Sequence, residues 1–467
     1  MKIEINSKKY EVQAGERLWD VLIRNSFVVD HYCGGKGSCR KCLVWIDGKN
    51  ELACQYTVKG NERIIISENN GLEENIRYVN NKTDKSRIIL DIGTTTLVMG
   101  LIKAGEDCCY TVNAPNPQRA FGADIISRIE YASRNGVGEL QKALVSGIKK
   151  MMPRFSGESH FPEMFVSGNA TMLHILAGIN PAPMGVAPYE PVFLDEMVIS
   201  GKAIGLDFVD KIILLPSFSA FVGADIVAGI NAAGMPENNK YKILVDLGTN
   251  AEIALYSQDD CFCTSAAAGP CFEGANISCG TGAYEGAIYS FEINDKASKN
   301  EIKVFGDVRP KGLCASGLID AVAELLRIGI IDETGYMQEG FFEIAEGITL
   351  KQQDIRQFQL AKSAIYSGIS ALIKNAGIGF EDVQELCVSG GFSQSFRIEN
   401  AVKTGLLPEE LKDKCIVINN SSFKGALKYS YGYSFNLYKD SVSYVDLSSD
   451  ENFSRLFINN MEFKKEL

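Results

Sequence analysis

Apolar and polar positions alternate in short runs over the first 55 residues. KIEIN (2–6) and KYEVQ (9–13) alternate with period two, as the strands of a hairpin do. ERLWDVLIRNS sets Leu18, Val21 and Leu22 at helical spacing, and KCLVWID and ELACQ predict two further strands. From about 70 to 86 the chain is polar without an apolar period, which predicts a linker. Beyond it, long apolar runs are broken by glycine. RIILDIGTTTLVMGLI (87–102) predicts an apolar strand ending at Asp91, a Gly-Thr-Thr-Thr turn and a second apolar strand. KILVDLGTNAEIAL (242–255) repeats it, with 155 positions between Asp91 and Asp246. FPEMFVSGNA (161–170) and VQELCVSGGFSQ (383–394) form a second pair, each an apolar strand ending in Ser-Gly before a predicted helix. The chain therefore holds two similar halves. The second is longer, with 144 positions from Asp246 to Gly390 against 77 from Asp91 to Gly168.

Two segments are rich in small residues. SAFVGADIVAGINAAG carries Gly223, Ala224, Ala228, Gly229, Ala232 and Ala233, and SSFKGALKYS has a similar character. Helices of this kind let another backbone come close. Crossing between lobes they would make a shear hinge; ordinary core packing explains them equally well.

Composition narrows the class. A length of 467 residues suits two or three domains, and 46% hydrophobic with 22% charged residues is ordinary for a globular chain. The net charge of −11 argues against nucleic acid as a partner. The start, MKIEINSKKYEV, has no apolar run of signal length, and no stretch approaches 18 uninterrupted apolar residues, so neither export nor a membrane partner is expected. Thirteen cysteines on such a chain predict a reducing cytoplasm, where clustered thiols hold metal or do redox chemistry.

Four of those cysteines form a constellation, Cys33-x5-Cys39-x2-Cys42-x11-Cys54. Zinc sites normally use two close ligand pairs, and here there is one pair with two single residues. A plant-type two-iron cluster uses C-x4-C-x2-C with a distant fourth cysteine, and this chain adds one residue to the first gap. Gly34, Gly35 and Gly37 allow the tight turns and exposed N–H groups that wrap sulfide. The flanking strand–helix–strand order is that of a β-grasp ferredoxin. Lys36, Arg40 and Lys41 lie in the loop. The first 82 residues hold 13 basic and 11 acidic residues, the rest 34 and 47. The cluster end could thus dock an acidic partner, or simply carry solvated charge.

The duplicated turns point to a nucleotide. A carboxylate at a strand end can hold hydrated Mg²⁺. Gly93 and Gly248 let the backbone approach phosphate, and Thr94, Thr95, Thr96, Thr249 and Asn250 offer hydroxyl or amide contacts. Ser389, Gly390 and Gly391 would let a base and ribose lie against bare backbone. No GxxxxGK[ST] occurs, and ISCGTGAYEG misses GxGxxG by one residue. His174, in the apolar ATMLHILAG, reads as a core histidine rather than a cobalt ligand. The other cysteines read as small core residues, with Cys271 and Cys279 a weaker x7 metal pair.

These motifs together resemble the ASKHA superfamily of acetate and sugar kinases, Hsc70 and actin. More narrowly, a ferredoxin loop followed by DIGTTT, SGNATMLHILAGINP, GPCFEGANISCGTGA, GLCASGLID and VSGGF is similar to the reductive activators of corrinoid proteins, over almost the whole chain. The resemblance implies an α/β protein: a β-grasp 2Fe-2S ferredoxin domain (1–82), then a two-lobed actin/Hsc70-like ATPase of duplicated RNase H-like subdomains (86–238 and 240–467). It implies ATP-dependent transfer of an electron from the cluster to a Co(II) corrinoid protein, restoring Co(I), with an external low-potential electron donor. Asp91 and Asp246 would hold Mg²⁺, Thr94, Thr95 and Thr249 would contact phosphate, and Asp225 would lie near the attacking water. Ser389 to Gly391 would bind adenosine, with Ser316 and Gly317 beside them; Glu273 is a motif residue without a derived role. Larger relatives carry a middle domain, and a linker of only about 17 residues implies that this chain lacks it. Monomer and homodimer both stay open. An activator of radical dehydratases and a nucleotide-gated binding protein remain as alternatives. Why a reductase should need ATP has a thermodynamic answer. Plant-type clusters sit at roughly −400 mV, and the resemblance places the Co(II)/Co(I) couple lower, so direct transfer runs uphill.

Overall fold

The computed structural model describes residues 1–6, 8–25, 27, 42–66, 74–77, 83–106, 108–122, 124–155, 159–237, 240–294, 299–390, 395–433 and 441–463. Cys33, Cys39, the loop glycines and basic residues between them, and Gly391 lie outside these residues. The chain divides into two compact units, Met1–Ala220 and Phe221–Leu467.

The first unit opens with β1 (Lys2–Ile5), β2 (Lys8–Glu11), α1 (Leu18–Arg24), β3 (Leu43–Ile46), β4 (Lys49–Leu52) and β5 (Arg63–Ile65). The strands pair in the order β2-β1-β5-β3-β4, with β1 and β5 parallel and the other pairs antiparallel. The period-two pattern sends Ile3, Ile5, Val44, Ile46 and Ile64 into one core with Leu18, Val21 and Leu22 of α1. β3 and β4 turn at Asp47–Gly48, both with positive φ (48° and 83°), as an Asp-Gly hairpin turn requires. ELACQ is a strand only as far as Leu52, and Cys54 lies in the turn that follows.

The next sheet has the order β11-β12-β10-β7-β8-β9-β6. Its strands are β6 (Glu74–Arg77), β7 (Arg87–Ile92), β8 (Thr96–Ile102), β9 (Cys108–Pro115), β10 (Phe161–Gly168), β11 (Met197–Ser200) and β12 (Val209–Leu214). Helices α2 (Ile125–Asn135), α3 (Gly138–Met151) and α4 (Ala170–Ala177) complete it. The expected linker at 70–86 is interrupted by β6, which pairs with β9 as an edge strand. Four residues of sequence ENIR are too few and too polar to show an apolar period.

The second unit begins with α5 (Ala224–Ala233), followed by β13 (Tyr241–Leu247), β14 (Ala251–Tyr256), β15 (Cys261–Ala266), β16 (Ala287–Asn294), β17 (Lys299–Val304), β18 (Gly312–Leu313) and α6 (Ala315–Arg327). After these come β19 (Phe341–Ala345), β20 (Ile348–Lys351), α7 (Gln352–Asn375), β21 (Val383–Gly390), α8 (Ile398–Lys403), β22 (Cys415–Val417), α9 (Ser421–Ser430), β23 (Val442–Tyr444) and α10 (Glu451–Asn459). The main sheet has the order β22-β21-β13-β14-β15-β23. Its plan repeats that of the first unit: an antiparallel meander (β7-β8-β9, β13-β14-β15) whose first strand pairs in parallel with a later one (β10, β21). Both units are therefore α/β.

Sequence order groups α5 with the first lobe (86–238), but it packs within the second unit, against α9. Contact is backbone to backbone. A Cβ added at Gly425 would stand 1.6 Å from the Ala228 carbonyl oxygen, and Asn231 Nδ2 donates to Gly425 O at 3.0 Å. A Cβ at Gly229 would instead meet Leu244 Cδ2 at 2.6 Å, the end of a side chain that can turn aside. Alanine favours a helix over glycine by about 1 kcal/mol, so packing decides the sign. Gly425→Ala is expected to lower unfolding stability by about 1–3 kcal/mol, whereas Gly229→Ala stays near neutral. Equal urea midpoints for the two variants would contradict this account of the helix crossing.

Candidate functional site

Cys42 precedes β3 and Cys54 follows β4, and both are buried, at 0% and 2% exposure. Ala53 N donates to Cys42 O at 2.8 Å, drawing the two positions together. The turn carrying Cys54 is seated on the start of α1, where Leu18 N donates to Tyr56 O (2.8 Å) and Trp19 N to Ala53 O (3.1 Å). Gln55 Nε2 lies 3.7 Å from Cys54 Sγ, and the Arg17 guanidinium interacts electrostatically with the same sulfur. Donors of this kind suit a thiolate ligand, so the described half of the four-cysteine set fits an iron–sulfur cluster.

The two Gly-Thr turns stand at equivalent strand ends. In the parallel pairing of β7 with β10, Asp91 lies opposite Ser167 and Ile92 opposite Gly168. In that of β13 with β21, Asp246 lies opposite Ser389 and Leu247 opposite Gly390. Gly168 and Gly390 both take positive φ, 150° and 143°. Ser167 Oγ donates to Asp91 Oδ1 at 3.3 Å. Gly93 admits no side chain, since a Cβ there would meet Thr96 O at 2.8 Å. Thr94 and Thr95 are half-buried and Thr96 is exposed. Asn169 caps α4 through its Oδ1 (Met172 N, 3.0 Å), and its Nδ2 reaches Thr94 Oγ1 at 3.4 Å.

At the second turn, Gly248 N donates to Asn250 O at 3.2 Å, and Thr249 Oγ1 donates to Glu273 Oε2 at 2.5 Å. Glu273, whose part could not be read from its motif, thus fixes the Thr249 side chain. Glu252 was missed altogether. It lies opposite Asp246 across β13 and β14, on the same face. The residue keeps some surface, yet its carboxyl is desolvated. That desolvation, with repulsion from Asp225 and then Asp246, pushes it well above the usual carboxylate range. The structure therefore gathers Asp225, at the start of α5, with Asp246 and Glu252. A divalent cation would relieve their mutual repulsion. Among the described residues no three His, Cys, Asp or Glu side chains are gathered tightly enough to hold a metal by themselves.

Ser389, expected to face adenosine, is buried and its Oγ accepts from Ser421 N, the first residue of α9, at 3.4 Å. Ser316 and Gly317 are buried at the start of α6. A Cβ at Gly317 would stand 2.2 Å from Ile288 O, so that glycine is explained by close packing on β16. The GTG run of the dinucleotide near-miss is likewise a packed loop: a Cβ at Gly280 would stand 2.5 Å from Gly274 O. His174 is a satisfied core residue. Its Nδ1 donates to Ala170 O (2.7 Å), its Nε2 accepts from Val192 N (3.0 Å), and it stacks on Phe193. Cys271 is buried, and desolvation raises its thiol, as it does those of Cys314 and Cys387. No helix among the described residues is long and apolar enough to cross a membrane.

Comparison with known proteins agrees with this domain order. Residues 1–67 match the model of a 2Fe-2S iron-sulfur cluster binding domain, 87–238 the RACo middle region, and 240–467 the C-terminal domain of RACo, the ASKHA domain. This chain belongs to the RACo family, the reductive activators of corrinoid proteins. The corrinoid activation enzyme RamQ of Eubacterium limosum is 29% identical over 451 residues, covering 87% of this chain and 75% of that one. The [Co(II) methylated amine-specific corrinoid protein] reductase of Methanosarcina barkeri is 27% identical over 374 residues, 72% of this chain and 68% of that one. A solved structure, the reductive activator for corrinoid, iron-sulfur protein, superposes with a TM-score of 0.72 at 23% identity, over 99% of this chain and 98% of that one. One expectation is overturned. The RACo middle region is not missing, since the segment carrying the first Gly-Thr turn matches it.

Asp320 of α6 anchors α8 within the second unit. Its Oδ1 accepts from Asn400 Nδ2 at 2.7 Å, and Arg397 Nε lies 3.5 Å from Oδ2. Burial pushes this carboxyl up to about 6 from an ordinary 3.8, against the pull of Asn400 and Arg397. The folded state thus holds the proton more tightly than the unfolded chain. The stability so gained is complete below about pH 4 and lost as pH rises through about 6, amounting to about 3 kcal/mol. Asp320→Asn is expected to flatten the unfolding free energy between those pH values. An unaltered pH slope in that variant would show that another group sets it.

Proposed function

We propose that this protein is an ATP-dependent reductive activator, passing an electron from a 2Fe-2S cluster in its first domain to a Co(II) corrinoid protein and so restoring Co(I). The observation that carries this reading is the joining, in one chain, of a ferredoxin domain and two strand-end turns in equivalent register. The names of the relatives, a corrinoid activation enzyme and a corrinoid protein reductase, support it.

In this reading Cys33, Cys39, Cys42 and Cys54 hold the cluster, whose chemistry when bound is one-electron transfer. Residues 1–82 form the ferredoxin domain, and 86–238 and 240–467 the two lobes. Gly93 to Thr96 and Gly248 to Asn250 bind the phosphates of ATP, and Ser389, Gly390 and Gly391 the adenosine. Asp91 and Asp246 would hold hydrated Mg²⁺, a cation that dehydrates reluctantly and would offset the charge of the phosphates. Asp225 accepts a proton from the attacking water. Glu252, beside Asp225 and Asp246, holds its proton more tightly than an ordinary carboxyl, and a cation bound nearby would favour its ionised form. Nucleotide can drive reduction only if the lobes bind the corrinoid partner differently with and without it. A shift of cobalt ligation in the bound complex would raise its potential into reach of the cluster. The electron donor is an external low-potential carrier.

Two outcomes follow under anaerobic conditions. Reduced protein should convert the Co(II) absorbance of a corrinoid protein to that of Co(I) only with ATP and Mg²⁺, and the corrinoid protein should stimulate hydrolysis. Conversion at the same rate without nucleotide would exclude coupling. Asp91→Asn and Asp246→Asn should each lower hydrolysis ~100-fold with the cluster spectrum intact, whereas Cys54→Ser should bleach the cluster and spare hydrolysis. Wild-type turnover in both aspartate variants would make the repeat purely structural.

A further inference from the structure

The first Gly-Thr turn is held from behind by buried donors. Gly93 O accepts from Asn116 Nδ2 at 2.8 Å, Thr94 O from Arg128 Nη2 at 2.6 Å, and Thr95 O from Asn116 N at 2.9 Å. Asn116 and Arg128 are both 0% exposed. In a trans peptide the carbonyl and the N–H point in opposite directions. Three successive carbonyls drawn back therefore turn the N–H groups of Thr94, Thr95 and Thr96 away from the interior. Successive N–H groups facing one way make an anion nest.

We propose that Arg128 is a positioning residue for phosphate binding at this turn, a role that rests on reading the strand-end turns as the nucleotide site. Its side chain is itself fixed. Nε donates to Gly122 O at 3.0 Å, and Nη1 lies 3.2 Å from Met172 Sδ and 3.5 Å from Gln118 Oε1. The planar fork thus ties together the turn after β7, the start of α2, the helical turn at Pro117–Ala120 and α4. A charged donor makes the stronger hydrogen bond to a carbonyl, so the Thr94 peptide is the firmest of the three. The contrast with the second turn is informative. There Thr249 is held through its hydroxyl by the Glu273 carboxylate. The first turn is gripped through a backbone carbonyl by a cation, which leaves its N–H groups set for an anion.

The test compares full-length wild type, Arg128→Lys and Arg128→Met. Calorimetric binding of ADP and of adenosine is measured with steady-state ATP hydrolysis, and the cluster absorbance and unfolding midpoint report folding. A lysine keeps the charge but cannot span the fork. The expected result is a rise of about tenfold in the Kd for ADP and in the KM for ATP in Arg128→Lys, and a larger rise in Arg128→Met. In both variants kcat and the affinity for adenosine are retained. Should Arg128→Met not fold, the lysine variant decides alone. An unchanged Kd for ADP in Arg128→Lys, or a loss of kcat with KM unchanged, overturns the role of Arg128 while leaving the nucleotide site in place. Failure of the wild type to bind ADP at all overturns that underlying reading, and this role with it.

Discussion

Everything chemical in the ATPase part depends on one pairing. A strand that ends in a carboxylate runs parallel to a strand that ends in Ser-Gly, and it does so twice, Asp91 beside Ser167 and Asp246 beside Ser389. Parallel pairing with both faces covered buries near-continuous apolar runs, such as Ile88 to Leu90 and Ile243 to Val245. The polar residues are thereby confined to the strand ends, where the chain must turn. Shifting either register by one residue would send the carboxylate to the other face of the sheet. The apolar strand interiors therefore position the site as much as its polar residues compose it.

The duplication is not exact, and the differences lie where chemistry calls for them. The partner of Asp91 on the following strand is Val98, while that of Asp246 is Glu252. At the second strand end the Glu252 carboxyl is repelled by Asp225 and Asp246.

Most of the fold and the paired strand-end turns were legible in the sequence because both rest on local pattern. Cysteine spacing, the period-two strands of the β-grasp and the repeated strand-Asp-Gly-Thr turns are read within a dozen residues. What escaped depends on contacts between distant segments. Arg128, in IISRIEYASRN, looks like a surface charge on an amphipathic helix, and only the fold turns it inward beneath Thr94. Glu252 looks like an ordinary alternating strand residue until β13 places Asp246 opposite it. Strand β6, of sequence ENIR, is too short and too polar to show an apolar period, yet it pairs with β9 at the sheet edge. Helix α5 adjoins the first lobe in sequence, but its packing partner lies nearly 200 residues further on, as the Asn231–Gly425 bond shows. Ser316 and Gly317 were drawn toward the nucleotide by their motif, yet the close approach of α6 to β16 accounts for the glycine.

The crossing of α5 and α9 has a mechanical meaning. Helix α5 carries Asp225 in its first turn, and the first N–H of α9 reaches Ser389. Where the two helices touch, at Ala228 and Gly425, no side chain lies between them to act as a cushion. A side-chain contact can absorb a small displacement by changing rotamer, but two abutting backbones have no such slack. The Asp225 end of α5 and the strand end at Ser389 are therefore geared together: a shift imposed on one is handed to the other undiminished.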